Sequence, residues 1–391
     1  MIETLQTVEK PLPGLSAGEA AALPYRVMVV DDSSVVRGLI TRAIEDHSLI
    51  QVVASAADGA AAINALERTP VDVIILDIEM PVMDGLTALP KLLAVDPAVK
   101  IIVASTLSLR NAETSIRALN LGAADYLPKP SSVKELTTAR AFKDELIEKI
   151  LELGVVARKA GVRQPNRAPA PHQASVSHAV LPRRPAAVKQ ISLRDAPGQT
   201  PDIIMIGSST GGPQALFSTI KDMGRLPQPV MITQHMPPSF TTILAEQIGK
   251  HCNVICVEAK DGMILEGGVY YIAPGDHHML VQNKSGKPAI VLTQDAHENF
   301  CRPAVDPMLR SAASVYGRKI LAAILTGMGQ DGWKGSEVVV GAGGAVVAQD
   351  EATSVVWGMP GAVAQAGLCS AVLPIGEIGA YIRKIARGGM A

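Results

Sequence analysis

The feature that most restricts the fold of this chain is a succession of short apolar runs that alternate with helical patterns. In the first third, Val27-Met28-Val29-Val30 and Val73-Ile74-Ile75-Leu76 are typical of buried strands. Two later runs have the same character: Ile101-Ile102-Val103-Ala104 and Ala124-Asp125-Tyr126-Leu127. Apolar residues at helical spacing separate the first two runs: Val36, Leu39, Ile40, Ala43 and Ile44. This alternation predicts a doubly wound parallel α/β domain.

Polar residues follow each of these runs. Asp31 and Asp32 end the first, and Asp77 ends the second. Their carboxylates would form an oxygen-rich pocket suited to Mg²⁺. We expect Asp77 to accept a phosphoryl group that the cation and Lys129 neutralise and Ser105 hydrogen-bonds. A single aspartate is more often a helix cap, but the whole set, in this order at successive strand ends, favours phosphoryl chemistry.

A glycine-rich turn marks the second half of the chain. Gly207-Ser208-Ser209-Thr210-Gly211-Gly212 follows the apolar run Ile203-Ile204-Met205-Ile206 and precedes a helical pattern that begins near Pro213. Such a turn lifts a serine nucleophile, here Ser209, from a strand end, and the amides after it face an oxyanion. The same turn also suits a phosphate cradle, so the segment alone leaves both functions open.

A serine nucleophile needs a base and a residue that orients the base. His235 lies just past the strand-like run Val230-Met231-Ile232-Thr233, and Asp331 follows the run from Ile320 to Thr326. In a parallel sheet the carboxyl ends of the strands share one edge. We therefore expect Ser209, His235 and Asp331 to emerge on the same rim.

Other histidines compete for the role of base. His277 and His278 follow another strand-like run, Val269 to Ala273. Asp331-Gly332 could equally be an ordinary turn, and a histidine beside two prolines is more often a loop residue. Along the chain, the three residues occur in the order Ser, His, Asp, whereas in the α/β-hydrolases the order is Ser, Asp, His. This difference indicates a separate serine hydrolase fold.

At this point the chain resembles two known families. Residues 26–131 resemble a response-regulator receiver domain, and residues 201–391 resemble the catalytic domain of chemotaxis protein-glutamate methylesterases, the CheB family. The stretches that carry the second resemblance are Ile206-Gly207-Ser208-Ser209-Thr210-Gly211-Gly212, Gln234-His235-Met236-Pro237-Pro238, Tyr271-Ile272-Ala273-Pro274-Gly275-Asp276 and Leu325-Thr326-Gly327-Met328-Gly329-Gln330-Asp331-Gly332. The resemblance implies Ser209 as nucleophile, His235 as base, Asp331 as its orienting residue and Asp77 as phosphorylation site.

Activity and partners follow from the same resemblance. It implies hydrolysis of glutamate methyl esters, and deamidation of glutamines, on methyl-accepting chemoreceptors. The oxyanion would be bound by the amides of Thr210 and Met328. Mg²⁺ would serve phosphorylation by a partner histidine kinase, and ester hydrolysis would need no cofactor. Tyr126 stands where receivers place a switching aromatic, although a buried core tyrosine is the alternative.

Four segments are expected in this α/β chain. They are an N-terminal extension (1–24), a flavodoxin-like receiver (25–156), a flexible linker rich in Pro, Ala and Arg (157–200), and a doubly wound α/β serine hydrolase domain (201–391). The linker holds too few apolar residues to order itself. A chain of 391 residues is long enough for two domains, each with its own core.

Composition excludes several other classes of protein. The net charge of −1 and the absence of a basic output domain argue against nucleic acid as a partner. The four cysteines are too scattered for a zinc site and favour a reducing compartment. We expect a cytoplasmic protein without membrane insertion, since no apolar run reads as a signal peptide or a span. The alternative function is a phospho-regulated binding module without catalysis.

Overall fold

The computed structural model describes residues 23–106, 109–129, 140–160, 191–195 and 198–389. Within these ranges the chain forms two parallel β-sheets and one antiparallel hairpin. The expected α/β fold class is confirmed. Nearly all of the N-terminal extension and most of the proposed linker lie outside the described residues.

The first sheet belongs to the N-terminal half. Its strands are β1 (Tyr25–Val30), β2 (Ile50–Ala56), β3 (Val73–Asp77), β4 (Lys100–Thr106) and β5 (Asp125–Lys129). They pair in parallel in the order β2-β1-β3-β4-β5. The helices of this half are α1 (Ser34–Glu45), α2 (Gly59–Arg68), α3 (Gly85–Val95), α4 (Leu109–Asn120) and α5 (Arg140–Ala160).

Alternate residues of these strands pack on opposite faces of the sheet. Met28 and Ile74 lie in a cluster with residues of α2, α3 and α4. Val27 and Val73 lie in a second cluster with residues of α1 and α5. Because both faces are covered, the strands are continuous apolar runs rather than alternating ones, which is why they can be read from the sequence.

The second sheet belongs to the C-terminal half. The strands of this half are β6 (Ile203–Ser208), β7 (Val230–Gln234), β8 (Ile255–Glu258), β9 (Val269–Ile272), β10 (His278–Lys284), β11 (Lys287–Thr293), β12 (Ile320–Ile324), β13 (Ala345–Gln349) and β14 (Ala371–Leu373). Seven of them pair in the order β14-β13-β12-β6-β7-β9-β8, and β10 and β11 form the hairpin. Its helices are α6 (Gly212–Met223), α7 (Phe240–Cys252), α8 (Val305–Tyr316), α9 (Trp333–Gly341), α10 (Met359–Gln365) and α11 (Ile375–Ala386).

The strand order of this sheet reverses at β6. The next strand along the chain, β7, pairs on one side of β6, and β12 pairs on the other. Chain segments leaving the carboxyl ends of these strands therefore separate and leave a crevice, which is where open α/β sheets bind ligands. The glycine-rich turn follows β6, at the point where the strand order reverses.

The two halves are in contact through apolar residues, and one cluster contains residues of both halves. The ring of Tyr126, on β5, stacks on Phe240, at the start of α7, with centroids 4.7 Å apart. Val356 of the C-terminal half packs into the cluster formed by α1 and α5. No helix in the described ranges is long and apolar enough to cross a membrane.

Candidate active site and phosphorylation pocket

The turn after β6 presents one serine and buries its neighbour. Ser208 is fully buried, and its hydroxyl donates a hydrogen bond to Oε1 of Gln234 over 2.7 Å. Ser209 is half-buried. Gly211 has φ of +74°, a left-handed conformation that glycine adopts without strain. Of the two serines, Ser209 is therefore the one with solvent-exposed surface.

Close packing around Ser209 also explains a glycine in a neighbouring loop. A Cβ atom on Gly327 would lie only 2.9 Å from Cβ of Ser209. The loop after β12 therefore needs glycine here to approach the serine. The same loop continues to Met328 and Asp331, so this contact brings the end of β12 to the end of β6.

Asp331 is buried and surrounded by hydrogen-bond donors. Its Oδ2 atom lies 2.8 Å from Nε2 of His235 and accepts from the amide of Val305 over 2.6 Å. Its Oδ1 atom accepts from the amide of Asp306 over 3.0 Å. Burial disfavours ionisation, but His235 and the amides at the start of α8 outweigh it and lower the pKa of Asp331. The side chain is a carboxylate that can only accept hydrogen bonds.

This charge state fixes the roles of the two nitrogens of His235. Because Asp331 only accepts, Nε2 must carry the proton that the pair shares, and in the neutral ring Nδ1 holds the lone pair. Nδ1 lies 3.3 Å from Sγ of Cys301. Burial disfavours the charged ring, but Cys301 and the hydrogen-bonded Asp331 raise the pKa of His235. The arrangement is that of an oriented base whose free nitrogen faces a thiol.

The competing histidines are engaged elsewhere. Nε2 of His278 lies 3.0 Å from the carbonyl of Ala296, and its Nδ1 accepts from the amide of Ala304. Nδ1 of His277 lies 3.2 Å from the carbonyl of Gly275. Neither ring forms a hydrogen bond or ion pair with a carboxylate among the described residues. Of the candidates, His235 is the one with the environment of a base.

Within the described ranges, no hydrogen bond joins the Ser209 hydroxyl to His235. In the same ranges, the backbone amides of Thr210 and Met328 donate to no protein acceptor. The Thr210 side chain is engaged differently, since its hydroxyl donates to Oδ2 of Asp125, in β5 of the N-terminal half, over 2.7 Å.

Three residues of the site were not among the sequence-based candidates. Cys301 contacts His235, and Nδ2 of Asn299 donates to Oδ1 of Asp331 over 2.8 Å and to Asp306 over 3.0 Å. The pKa of Asp306 is raised by its burial and by Asp331. The loop Asn299-Phe300-Cys301-Arg302-Pro303 leads into a helix, which is a readable boundary signal, but nothing local marks Cys301 as a neighbour of His235.

A separate acidic pocket lies at the carboxyl edge of the first sheet. Ligand atoms of Asp31, Asp32 and Asp77 all lie within 4.8 Å of one another. Nζ of Lys129 lies 2.5 Å from Asp31 and 2.8 Å from Asp77. Burial raises the pKa of Asp77, and Lys129 partly opposes that effect. This donor set of hard oxygens suits Mg²⁺, and Lys129 provides a second cation beside Asp77.

Two residues predicted to act with this pocket have other contacts. The Ser105 hydroxyl is 2.7 Å from that of Ser115, and no hydrogen bond joins it to Asp77 within the described part of the chain. Tyr126 is buried, and burial raises its pKa. Its ring packs on Phe240, so it lies in the contact between the two halves.

Comparison with known proteins assigns the two halves. Residues 204–382 match the model of the CheB methylesterase family, and residues 27–141 match that of the response regulator receiver domain. A relative in Rhodospirillum centenum, named protein-glutamate methylesterase/protein-glutamine glutaminase of group 2 operon, is 58% identical over 93% of this chain and 94% of its own. One in Azospirillum brasilense, named protein-glutamate methylesterase/protein-glutamine glutaminase, is 59% identical over 96% of both chains. The chain belongs to the CheB methylesterase family.

Family membership confirms the predicted resemblance. It also identifies the contact between the halves as one between a receiver domain and a methylesterase domain. In this CheB-family chain the receiver domain rests beside the turn that carries Ser209. Besides the bond from Thr210 to Asp125, Nε2 of Gln214 donates to the carbonyls of Leu119 and Ala123 over 2.9 and 2.6 Å. The receiver is thus bonded to the residue after Ser209 and to the helix that follows it.

Proposed function

We propose that this chain is a phosphorylation-controlled hydrolase of chemotactic adaptation. It converts glutamate methyl esters, and glutamine amides, on methyl-accepting chemoreceptors into glutamates. The observation that carries the proposal is the buried pair of Asp331 and His235 beside the accessible Ser209. The names of the relatives, which are methylesterases and glutaminases, support the substrate class.

The first chemical step is attack of Ser209 Oγ on the ester or amide carbon. The serine proton passes to Nδ1 of His235, because Nε2 is held by Asp331. For this transfer the Ser209 hydroxyl must turn toward Nδ1, which lies beside the Cys301 thiol in the resting structure. The negative charge on the carbonyl oxygen is then stabilised by the free amides of Thr210 and Met328.

Release of the leaving group completes the acylation. Nδ1 returns its proton to the departing methoxide or amide nitrogen, so methanol or ammonia leaves and an acyl-serine remains. Water then attacks the acyl carbon while His235 takes its proton, and the proton passes back to Ser209. The products are a glutamate side chain and free enzyme. The reaction as proposed uses only protein groups and water.

Control of this chemistry is proposed to come from the receiver. Asp77 receives the phosphoryl group from a partner histidine kinase, and Asp31, Asp32 and Asp77 would hold the Mg²⁺ that neutralises it. New charge at Asp77 would loosen the contacts that tie the receiver to Thr210 and Gln214. The substrate could then reach Ser209.

The remaining assignments accompany this function. We propose that the receiver spans 25–156, the linker 157–200 and the catalytic domain 201–391, and that the protein works in the cytoplasm. A phospho-regulated binding module without catalysis is the alternative. The oriented base favours catalysis, since buried groups with shifted pKa values and a specific charge partner, such as Asp331 and His235, cluster at catalytic sites.

Methanol release tests the proposal. The full chain, phosphorylated with acetyl phosphate and Mg²⁺, is incubated with membranes that carry radiolabelled methyl esters on receptors. Ser209→Ala and His235→Ala should each lower the rate by about 10³-fold or more. Ser314→Ala, an exposed serine on α8, is the matched control and should retain the wild-type rate. Undiminished release by Ser209→Ala would reject the proposal.

A further inference from the structure

The turn beside His235 has an unexpected residue at its tip. Glu298 and Cys301 are paired by two backbone hydrogen bonds of 3.1 and 2.9 Å, so Asn299 and Phe300 form a two-residue loop. Both loop residues have positive φ, 52° and 64°. Two-residue loops of this kind favour Asn followed by Gly, because a bulky residue is strained in the second position.

The same chain contains the expected version of this loop. The hairpin of β10 and β11 turns through Ser285 and Gly286, with φ of 52° and 82°. Glycine therefore stands at the second position there, whereas Phe300 stands at the equivalent position beside the active site. The backbone gains nothing from a phenylalanine at this point.

The side chain of Phe300 does not stabilise the free protein either. Phe300 is fully exposed, so its ring removes no apolar area from water. Exposed apolar residues are common on proteins, but a bulky one at positive φ is uncommon. A strained backbone that holds an aromatic ring in solvent favours a role in binding.

The loop is also fixed to the catalytic residues on both sides of Phe300. Asn299 donates to Asp331, and Cys301 contacts His235. Glu298 forms a bidentate pair with Arg310 of α8, over 2.6 and 2.7 Å. Both chain neighbours of Phe300 therefore contact the catalytic pair, and consecutive Cα atoms are only about 3.8 Å apart. The exposure of Phe300 in the full chain means that the docked receiver leaves it uncovered.

From these observations we infer that Phe300 is an anchor for the substrate helix of the receptor. Its ring packs on apolar side chains of that helix next to the residue that carries the ester or amide. A rigid aromatic adjacent to the reacting groups would supply binding energy that the small methyl ester cannot supply itself. The inference rests on the proposed function, because it takes a protein side chain as the substrate.

Rates measured over a range of receptor concentrations test this role. The assay uses the phosphorylated full chain and methylated receptor membranes. Phe300→Gly restores the preferred loop sequence, so its thermal midpoint should equal or exceed that of the wild type. Its KM for receptor should nevertheless rise about tenfold or more. Its kcat should stay within about twofold, since the lost contact is made equally in the ground and transition states.

Two further variants make the result specific. Phe300→Leu keeps an apolar side chain and should recover most of the affinity, whereas Phe300→Asn, which tolerates positive φ, should behave like Phe300→Gly. Ser285→Gly changes the other loop at positive φ and should keep the wild-type KM. An unchanged KM in Phe300→Gly, or a loss confined to kcat, would overturn the inference. The proposed function is checked separately in the same membranes, where the wild type should release methanol and Ser209→Ala should not.

Discussion

The contact between Gln214 and the receiver allows a quantitative prediction about control. Gln214, on α6, donates hydrogen bonds to the carbonyls of Leu119 and Ala123, on the receiver side of the interface. Replacement by alanine removes both bonds without touching Ser209, His235 or Asp331. We expect Gln214→Ala to open the docked receiver and raise the activity of the unphosphorylated protein.

The size of the effect follows from the energy of the two bonds. Each intramolecular hydrogen bond contributes about 0.5–1.5 kcal/mol net, because water replaces it when the partners separate. This pair is only part-buried, so the lower part of the range applies, roughly 1–2 kcal/mol for both. The docked-to-open ratio should then fall about 5- to 30-fold. If the open form is the minor one, basal activity rises by the same factor.

The assay compares methanol release by unphosphorylated and phosphorylated full chain at equal concentration. Gln214→Ala should raise the rate of methanol release by the unphosphorylated protein and have little effect on the rate of the phosphorylated protein. The ratio of the two rates should therefore become smaller. Gln282→Ala, an exposed glutamine on β10, is the control and should preserve the full difference. An unphosphorylated rate equal to that of the wild type would refute the view that this interface restrains the enzyme. The receiver would then act by recruiting the enzyme to its receptors.

Two other perturbations address the base and the phosphorylation pocket. Asp331→Asn should lower kcat by about 10³-fold or more, because the ring loses its orienting carboxylate. Ester hydrolysis needs neutral His235, so activity should fall as the pH drops through the raised pKa of this histidine. Loss of Asp331 should therefore move the acidic limb of the pH–rate profile to lower pH. An acidic limb that does not move in Asp331→Asn would contradict the pairing of the two residues. Asp77→Asn should abolish labelling by radioactive acetyl phosphate, which in the wild type should require Mg²⁺. Labelling that survives this substitution would mean that another carboxylate is the acceptor.

Much of the architecture could be predicted because its strands are buried on both faces. Such strands are continuous apolar runs, and β1, β3 and β7 lie where those runs predict them. The expectation that three strand ends share a rim required only the parallel topology. The two edge strands of the second sheet, β8 and β14, have only four and three residues and were not predicted.

The details of the candidate site depend on contacts between distant residues. Cys301 and His235 are separated by 66 positions, and no local pattern records that their side chains meet. The partner of Ser105 is likewise decided by how α4 packs, which places Ser115 against it. The loop at Phe300 opposes local preference, since loops of this kind favour glycine at the second position. The sequence analysis did not identify Phe300, because a phenylalanine at this position is unfavourable for the fold of the free protein.

The central claim, that Ser209 is the nucleophile activated by His235, is tested most directly by covalent labelling. The phosphorylated full chain is treated with a fluorophosphonate, a reagent that captures activated serines, and the modified peptide is identified by mass spectrometry. The account predicts one adduct on Ser209 and its loss in His235→Ala, with Cys301→Ala still labelled. An adduct on Cys301 or Ser208, or labelling undiminished in His235→Ala, would contradict it.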